Sequence, residues 1–312
     1  MRRFIENGFT FAVVKLYPEN TSEKFEFEVV RKWLWERCIS PMGKALVERL
    51  LPFSNFEIIQ RHLQLSDEFK TILLRKLEFP LDGFLPLEEF LSLLEKEGST
   101  GSTEHFTKIR SVTKAVQKLH QFTKQEERKE DFPLLCKLIT DVSLQKKIIA
   151  HIDKVLSPEG IVRDKASPEL AAIRDMLATK RRALSKIFDQ AVQRYRKSGY
   201  LAPTQESIRN GRRVLAVRAE YKRKVKGIIH DISETGQTAF IEPEAALQLS
   251  NDILNLEQDE RAEIHKILRA LTAEIRPFIP ELRAYEVLLS RVDFIQAKGK
   301  LAVLLDAHLP EL

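Results

Sequence analysis

SPELAAIRDMLATKRRALSKIFDQAVQRYRKSG, residues 167–199, decides the fold. Ser167-Pro168 is a helix start, because serine can accept a free N–H of the first turn and proline's missing N–H had no partner there. Leu170, Ile173, Leu177, Lys180, Leu184, Ile187 and Ala191 then alternate three and four apart. That spacing is a heptad seam over about 45 Å of helix, with Lys180 the one polar break. Gly199 ends the helix and Pro203 prevents its resumption.

A seam of that length needs a partner. Leu249, Ile253, Leu256, Glu260, Ile264, Ile267 and Leu271 form a second seam of similar length, running from Pro243 to a stop at Pro277. Between the two the period changes. Val214, Ala216, Val225, Ile228, Ile229, Ile232, Phe240 and Ile241 fall in short strand-type runs. Asn210-Gly211 signals a tight hairpin, whose two central residues both need positive φ. Glu234-Thr235-Gly236 is a second turn. The expectation is an outgoing helix (166–200), a β-rich tip of three or four antiparallel strands (201–243) and a returning helix (244–277), with Arg209 to Arg213 at the far end.

Around this excursion the chain reads as helix. Phe25, Val29, Val30, Trp33, Leu34 and Cys38 predict one helix from 25 to 38. Ser40-Pro41 opens another that ends before Pro52. Ser54 or Asn55 caps a third, which Pro80-Leu81-Asp82-Gly83 breaks. Further helices follow over 86–97, from Thr103, over 132–139 and over 142–152, and Lys124 to Asp131 is a solvated helix end or loop. A last helix from Glu281 to about Ala307 closes the pattern. The fold class is therefore mainly α: a helical core domain (25–165) with a long antiparallel helix pair carrying a small antiparallel β tip, and a closing core helix (278–312). Residues 1–24, with weak alternation at Phe9, Phe11 and Val13, read as an appendage.

Composition narrows the function. The 312 residues carry a net charge of +6, which permits an acidic partner without requiring one. Cys38 and Cys136 lie in apolar helical runs, so buried thiols in a reducing, cytoplasmic setting are expected. No apolar run reaches the roughly 20 residues of a membrane span. No phosphate-cradling glycine loop, zinc spacing or nucleophile motif is present, and no metal site is expected. His230-Asp231 beside Glu234 suggests acid–base work only weakly, since neighbours on a strand point to opposite faces.

The tip carries the functional signal. Arg209, Arg212, Arg213, Arg218, Lys222, Arg223, Lys224 and Lys226 face a single acid, Glu220, over 209–226. A small basic sheet can lie along the regular negative charge of a phosphate backbone, and Tyr221 could add a stacking contact. These nine residues are the candidate nucleic-acid site, held by the structural turn Asn210-Gly211. A plainer account is a solvated surface using lysine to blunt sheet edges. For Lys180-Arg181-Arg182 and Arg194 to Lys197, a solvent face with pairing to acids of the returning helix is the favoured reading.

The order of elements, and several segments within it, resembles the MutS family in its MutS-II branch. Ser40-Pro41-Met42-Gly43-Lys44-Ala45-Leu46 is similar to that family's helix after the first core helix, and Ala166-Ser167-Pro168-Glu169-Leu170 to the start of its lever. Ile208 to Arg212 with Val214 to Tyr221, Gly227 to Gly236, and Phe240-Ile241-Glu242-Pro243 resemble its clamp. Asp293-Phe294-Ile295-Gln296-Ala297-Lys298 resembles the helix leading to its ATPase. The likeness covers 25–312. It implies a homodimer of core, levers and clamp, followed by an ABC-type ATPase and usually a C-terminal nuclease-like Smr domain. It further implies DNA or ribosomal RNA as partner, linked to suppression of recombination or rescue of collided ribosomes. ATP and Mg would serve the full-length protein, and no cofactor or enzymatic activity is expected of this chain, whose abrupt end at Leu312 reads as a cut. The competing expectation is a helical protein-interaction module whose tip docks protein and binds no nucleic acid.

Overall fold

The computed structural model describes residues 3–6, 9–12, 17–18, 20–52 and 54–311. The protein is mainly helical with a small four-stranded antiparallel sheet. It divides into two units, residues 1–161 with 268–312, and residues 162–267. At the start, β1 (Arg3–Glu6) pairs antiparallel with β2 (Phe9–Ala12). Val13, part of the alternation read from the sequence, lies outside the described residues, as does Leu312.

The first unit is built around α12 (Ile279–Leu304). Its Leu282, Tyr285, Leu288, Leu289, Val292 and Ile295 are all buried. Against it lie α2 (Phe27–Arg37), α3 (Pro41–Glu48), α4 (Phe56–Leu74), α5 (Glu88–Glu95) and α6 (Thr103–Phe122). The remaining helices are α1 (Thr21–Lys24), α7 (Glu126–Asp131), α8 (Pro133–Thr140) and α9 (Lys146–Val155). Several boundaries differ from expectation for local reasons. The helix expected over 25–38 starts only at Phe27, as α2: ahead of it Glu26 adopts positive φ and Phe25 is 79% exposed. Only Val30, Leu34 and Cys38 of its apolar set reach the core, beside Val47, Ala297 and Leu301, while Val29 and Trp33 stay exposed. Pro80 does not end α4. Lys76 adopts positive φ and Leu77 N–H bonds back to Ile72 C=O at 3.0 Å, a left-handed cap that closes the helix at Leu74. Ser102 caps α6, which starts at Thr103.

One clasp ties this unit together. Asp293, fully buried on α12, accepts the N–H groups of Ile39 (3.0 Å) and Ser40 (2.9 Å) and the Ser40 hydroxyl (2.5 Å). Ser40 Oγ in turn accepts Gly43 N–H at 2.9 Å, capping α3. A Cβ at Gly43 would lie 2.2 Å from Asp293 Oδ2, so the approach of α3 to α12 needs glycine there.

The second unit holds α10 (Pro168–Lys197), strands β3 (Leu201–Arg209), β4 (Arg212–Arg218), β5 (Gly227–Ile232) and β6 (Thr238–Pro243), and residues 244–267 of α11 (Glu244–Ile275). Ser167 caps α10 as expected. Lys180, the break in the seam, meets Asp252 at 2.7 Å, and Arg174–Glu260 and Arg181–Glu257 cross the same pair of helices at 2.7 Å. In the last third of α10 the buried face moves by one position. Phe188 and Val192 are buried, and Ile187 and Ala191 only half so. The sheet causes this shift, since Leu201, Leu215, Val217, Ala239 and Ile241 pack on that side.

Strand order is β3-β4-β6-β5, all antiparallel. Asn210 (φ 52°) and Gly211 (φ 74°) form the expected tight turn between β3 and β4. Both outer strands are irregular. β3 carries an irregularity between Leu201 and Glu206 with Gln205 at φ 57°, and β5 has His230 as an extra residue between Ile229 and Asp231.

Candidate nucleic-acid interface

The Asn210-Gly211 turn is not at the far end of the excursion. β3 starts just beyond the C-terminus of α10 and runs back alongside it, so Arg213 reaches Ser185 Oγ (3.4 Å) and Asp189 (3.9 Å), on α10 well before its last turn. Arg212 likewise bonds Asn251 Oδ1 of α11 at 2.6 Å. The opposite end of the sheet holds Tyr200, Arg218 and the 233–237 turn, joined where Arg218 N–H bonds Tyr200 C=O (2.9 Å) and Ala219 N–H bonds Gln237 C=O (2.9 Å). The expectation from sequence is that Arg209 to Arg213 sit at the far end. The sheet's packing against Phe188 and Val192 reverses that.

This geometry divides the predicted residues into two groups. Arg209 bonds Asp231 (3.0 Å) and Ser207 (2.7 Å) and lies 3.9 Å over the Phe240 ring. Arg213 bonds Glu206 at 2.5 Å and covers Phe188. Arg212 bonds both oxygens of Glu242 (3.3 and 3.1 Å), a carboxylate with no exposed surface that also meets His230 Nε2 at 2.7 Å. A buried carboxylate needs such partners, and removing one leaves a charge uncompensated at a cost of about 3–5 kcal/mol. His230 thus has a structural partner across the sheet, in place of the acid–base pair suggested by Asp231 and Glu234.

The second group is Arg218, the last residue of β4, and the four cations of the connection between β4 and β5. Arg218, Lys222, Arg223, Lys224 and Lys226 form no ion pair among the described residues, and all but half-buried Lys222 are exposed. Tyr221 is not free on both faces. It stacks on Tyr200 at 4.7 Å, and Tyr200 stacks on Tyr195 at 6.3 Å, which pins this connection to the end of α10. Lys224 and Lys226 therefore come beside Ile187, Gln190 and Arg194, lining an open groove of about 530 Å³ in which Glu244 is the one acid. Arg194 to Lys197 lie on a solvent face, as expected, but the pairing with α11 expected there is made elsewhere. The structure gives that role to Lys180 and Arg181, whereas Arg194 lies over Tyr195 and Arg196 bonds Gln205. The strand content of 201–243 pointed to a tip but not to which helix face it would cover, so Arg194 could not be assigned to the groove from sequence.

No group of three or more His, Cys, Asp or Glu side chains that could hold a metal occurs among the described residues. Among them, no helix is long and apolar enough to cross a membrane.

The chain is similar in sequence to named proteins. Over 294 residues the chain is 29% identical to Endonuclease MutS2 of Alkaliphilus oremlandii, covering 94% of this chain and 37% of that protein. It is 33% identical over 285 residues to Endonuclease MutS2 of Clostridium botulinum, covering 91% of this chain and 36% of the relative. This chain is a homologue of the MutS2 proteins. Endonuclease MutS2 of Carboxydothermus hydrogenoformans is also 33% identical, over 304 residues, with 94% of this chain and 37% of that protein covered. The chain thus spans little more than a third of the length of these MutS2 relatives. No family model matches it.

Proposed function

We propose that residues 162–267 form the nucleic-acid contact of a MutS2-like protein, with the α10–α11 pair as lever and the four-stranded sheet as clamp. The single observation that supports this reading is the division among the basic residues. Arg209, Arg212 and Arg213 are committed to carboxylates within the fold, while Arg218 at the end of β4 and Lys222, Arg223, Lys224 and Lys226 on the pinned connection form no ion pair among the described residues. Unpaired lysines and arginines held at fixed positions neutralise phosphates without reading bases, so binding would be sequence-independent and strongly salt-dependent. The partner is DNA, duplex or branched, or ribosomal RNA, and the role is suppression of recombination or ribosome rescue. In this reading the chain is the mechanical part and performs no catalysis. ATP and Mg would act on a segment of the full-length protein other than this one, in a cytoplasmic homodimer.

The test is fluorescence anisotropy of the whole chain with a labelled DNA duplex and a labelled RNA hairpin. Wild type should bind with affinity falling steeply as salt rises, and Arg223→Glu/Lys224→Glu should abolish binding. Retained affinity in that variant would remove the clamp assignment. Association of the wild type with neither probe would instead favour the helical protein-interaction module, which has the exposed Phe25, Val29 and Trp33 in its support.

A further inference from the structure

Arg182, Lys186, Gln190 and Arg194 follow one another at four-residue intervals on α10, and all four are exposed. Residues at that spacing form a single ridge on a helix surface. Here the ridge contains no acid. It runs about 18 Å at 1.5 Å per residue, and its last two members, Gln190 and Arg194, line the groove that also holds Lys224 and Lys226. The other cations of this helix stretch are engaged elsewhere, Lys180 with Asp252 and Arg181 with Glu257. Asp189, the nearby carboxylate, faces Arg213 across 3.9 Å on the sheet side of the helix. Lys186 forms no ion pair among the described residues, and Arg182 bonds only within its own turn, to Ala178 C=O and Thr179 Oγ1.

We infer that this ridge is a second part of the contact surface: one nucleic-acid strand leaves the groove at Lys224 and Lys226 and follows Arg194, Gln190, Lys186 and Arg182 along α10. The inference rests on the nucleic-acid reading above and extends it from the sheet to the helix. The chemistry recognised is the phosphodiester backbone. Over about 18 Å one strand of B-form DNA presents about five phosphates along its axis, at 3.4 Å each. A ridge of three cations and one amide donor, ending in two lysines, matches that length. Gln190 would donate to a phosphate oxygen where a charge is not needed.

The number of phosphates neutralised is read from the slope of log affinity against log salt, which on duplex DNA becomes shallower by about 0.9 for each phosphate no longer neutralised. The experiment compares the whole chain with Arg182→Gln/Lys186→Gln/Arg194→Gln on one labelled duplex over a salt series, with circular dichroism to confirm that the variant keeps its helix content. The expected result is binding retained, with a slope shallower by about 2 to 3. An unchanged slope and affinity, alongside abolished binding in Arg223→Glu/Lys224→Glu, overturns the ridge and leaves the clamp assignment standing. Wild type without salt-dependent binding overturns both.

Discussion

Asp293→Asn is the sharpest test of how the first unit is held. The wild-type carboxylate is fully buried and accepts two backbone N–H groups and a hydroxyl at 2.5–3.0 Å. Asparagine keeps the volume but turns one terminal oxygen into an NH₂ group, which must face either Ile39 N–H or the Ser40 donors. One buried donor then has no acceptor, at about 1–3 kcal/mol, and the negative charge beside the N-terminus of α3 is removed, at about 0.3–1 kcal/mol. We expect a destabilisation of about 3 kcal/mol. The chain's two tryptophans, Trp33 and Trp35, lie on α2 next to this clasp, so their fluorescence reports it in urea. With a urea dependence of about 2–3 kcal/mol per M, the midpoint should fall by roughly 1–1.5 M. Gly43→Ala attacks the same interaction from the other side, because its Cβ would be 2.2 Å from Asp293 Oδ2. The two changes share one interaction, so the double variant should be destabilised by less than their sum. A midpoint shift below roughly 0.3 M for Asp293→Asn, or strict additivity, would refute the clasp.

Other outcomes separate structural from contact residues. Arg212→Gln should destabilise the sheet by about 3 kcal/mol, because Glu242 keeps only His230 as partner; faster hydrogen exchange over 227–243 would show it, and unchanged exchange would count against the pairing. Lys180 holds Asp252 below the ordinary carboxylate value of 3.8, and Ser167 and Lys266 hold Glu263 below its ordinary 4.5. Depressed carboxylates stabilise above their ordinary values and lose that stabilisation as pH falls through the lowered ones. Thermal melts of wild type should therefore weaken on the acid side of pH 4, and Lys180→Gln should show a smaller acid-side loss; equal profiles would discount the pair. Burial, with Asp293 nearby, pushes the Cys38 thiol up to about 12, and burial with Glu68 nearby pushes Cys136 up to about 11. Iodoacetamide should then label neither in the folded chain at neutral pH, and rapid labelling would show that the thiols are accessible.

The paired seams were legible because heptad spacing depends only on residues along one helix. So was the Asn210-Gly211 turn, whose positive φ values are a local demand. The direction of the hairpin was not, since it depends on which face of α10 the sheet covers, and that follows from Phe188 and Val192 meeting strands up to 53 residues later. For the same reason charge could be counted from sequence but not assigned. Eight basic residues over 209–226 look equivalent in the chain, and only packing shows that Arg209, Arg212 and Arg213 are paired within the fold. The likeness of Ser40 to Leu46 and of Asp293 to Lys298 to family segments was visible too, but not that Asp293 joins the two segments at Ser40.

The irregular outer strands have a bearing on how the protein behaves when concentrated. Ile208, Ile228, Ile229 and Ile232 leave much apolar surface on a small sheet with two open edges, a combination that templates fibre growth. On one edge, Pro203 has no N–H to offer and the backbone kinks at Gln205. On the other, the extra residue His230 breaks the ladder, and the Asp231 carboxylate accepts Ile232 N–H at 2.8 Å, occupying a donor that an incoming strand would need. Each edge is thus closed by its own backbone chemistry, and the sheet can keep its isoleucines exposed without recruiting strands from neighbouring molecules.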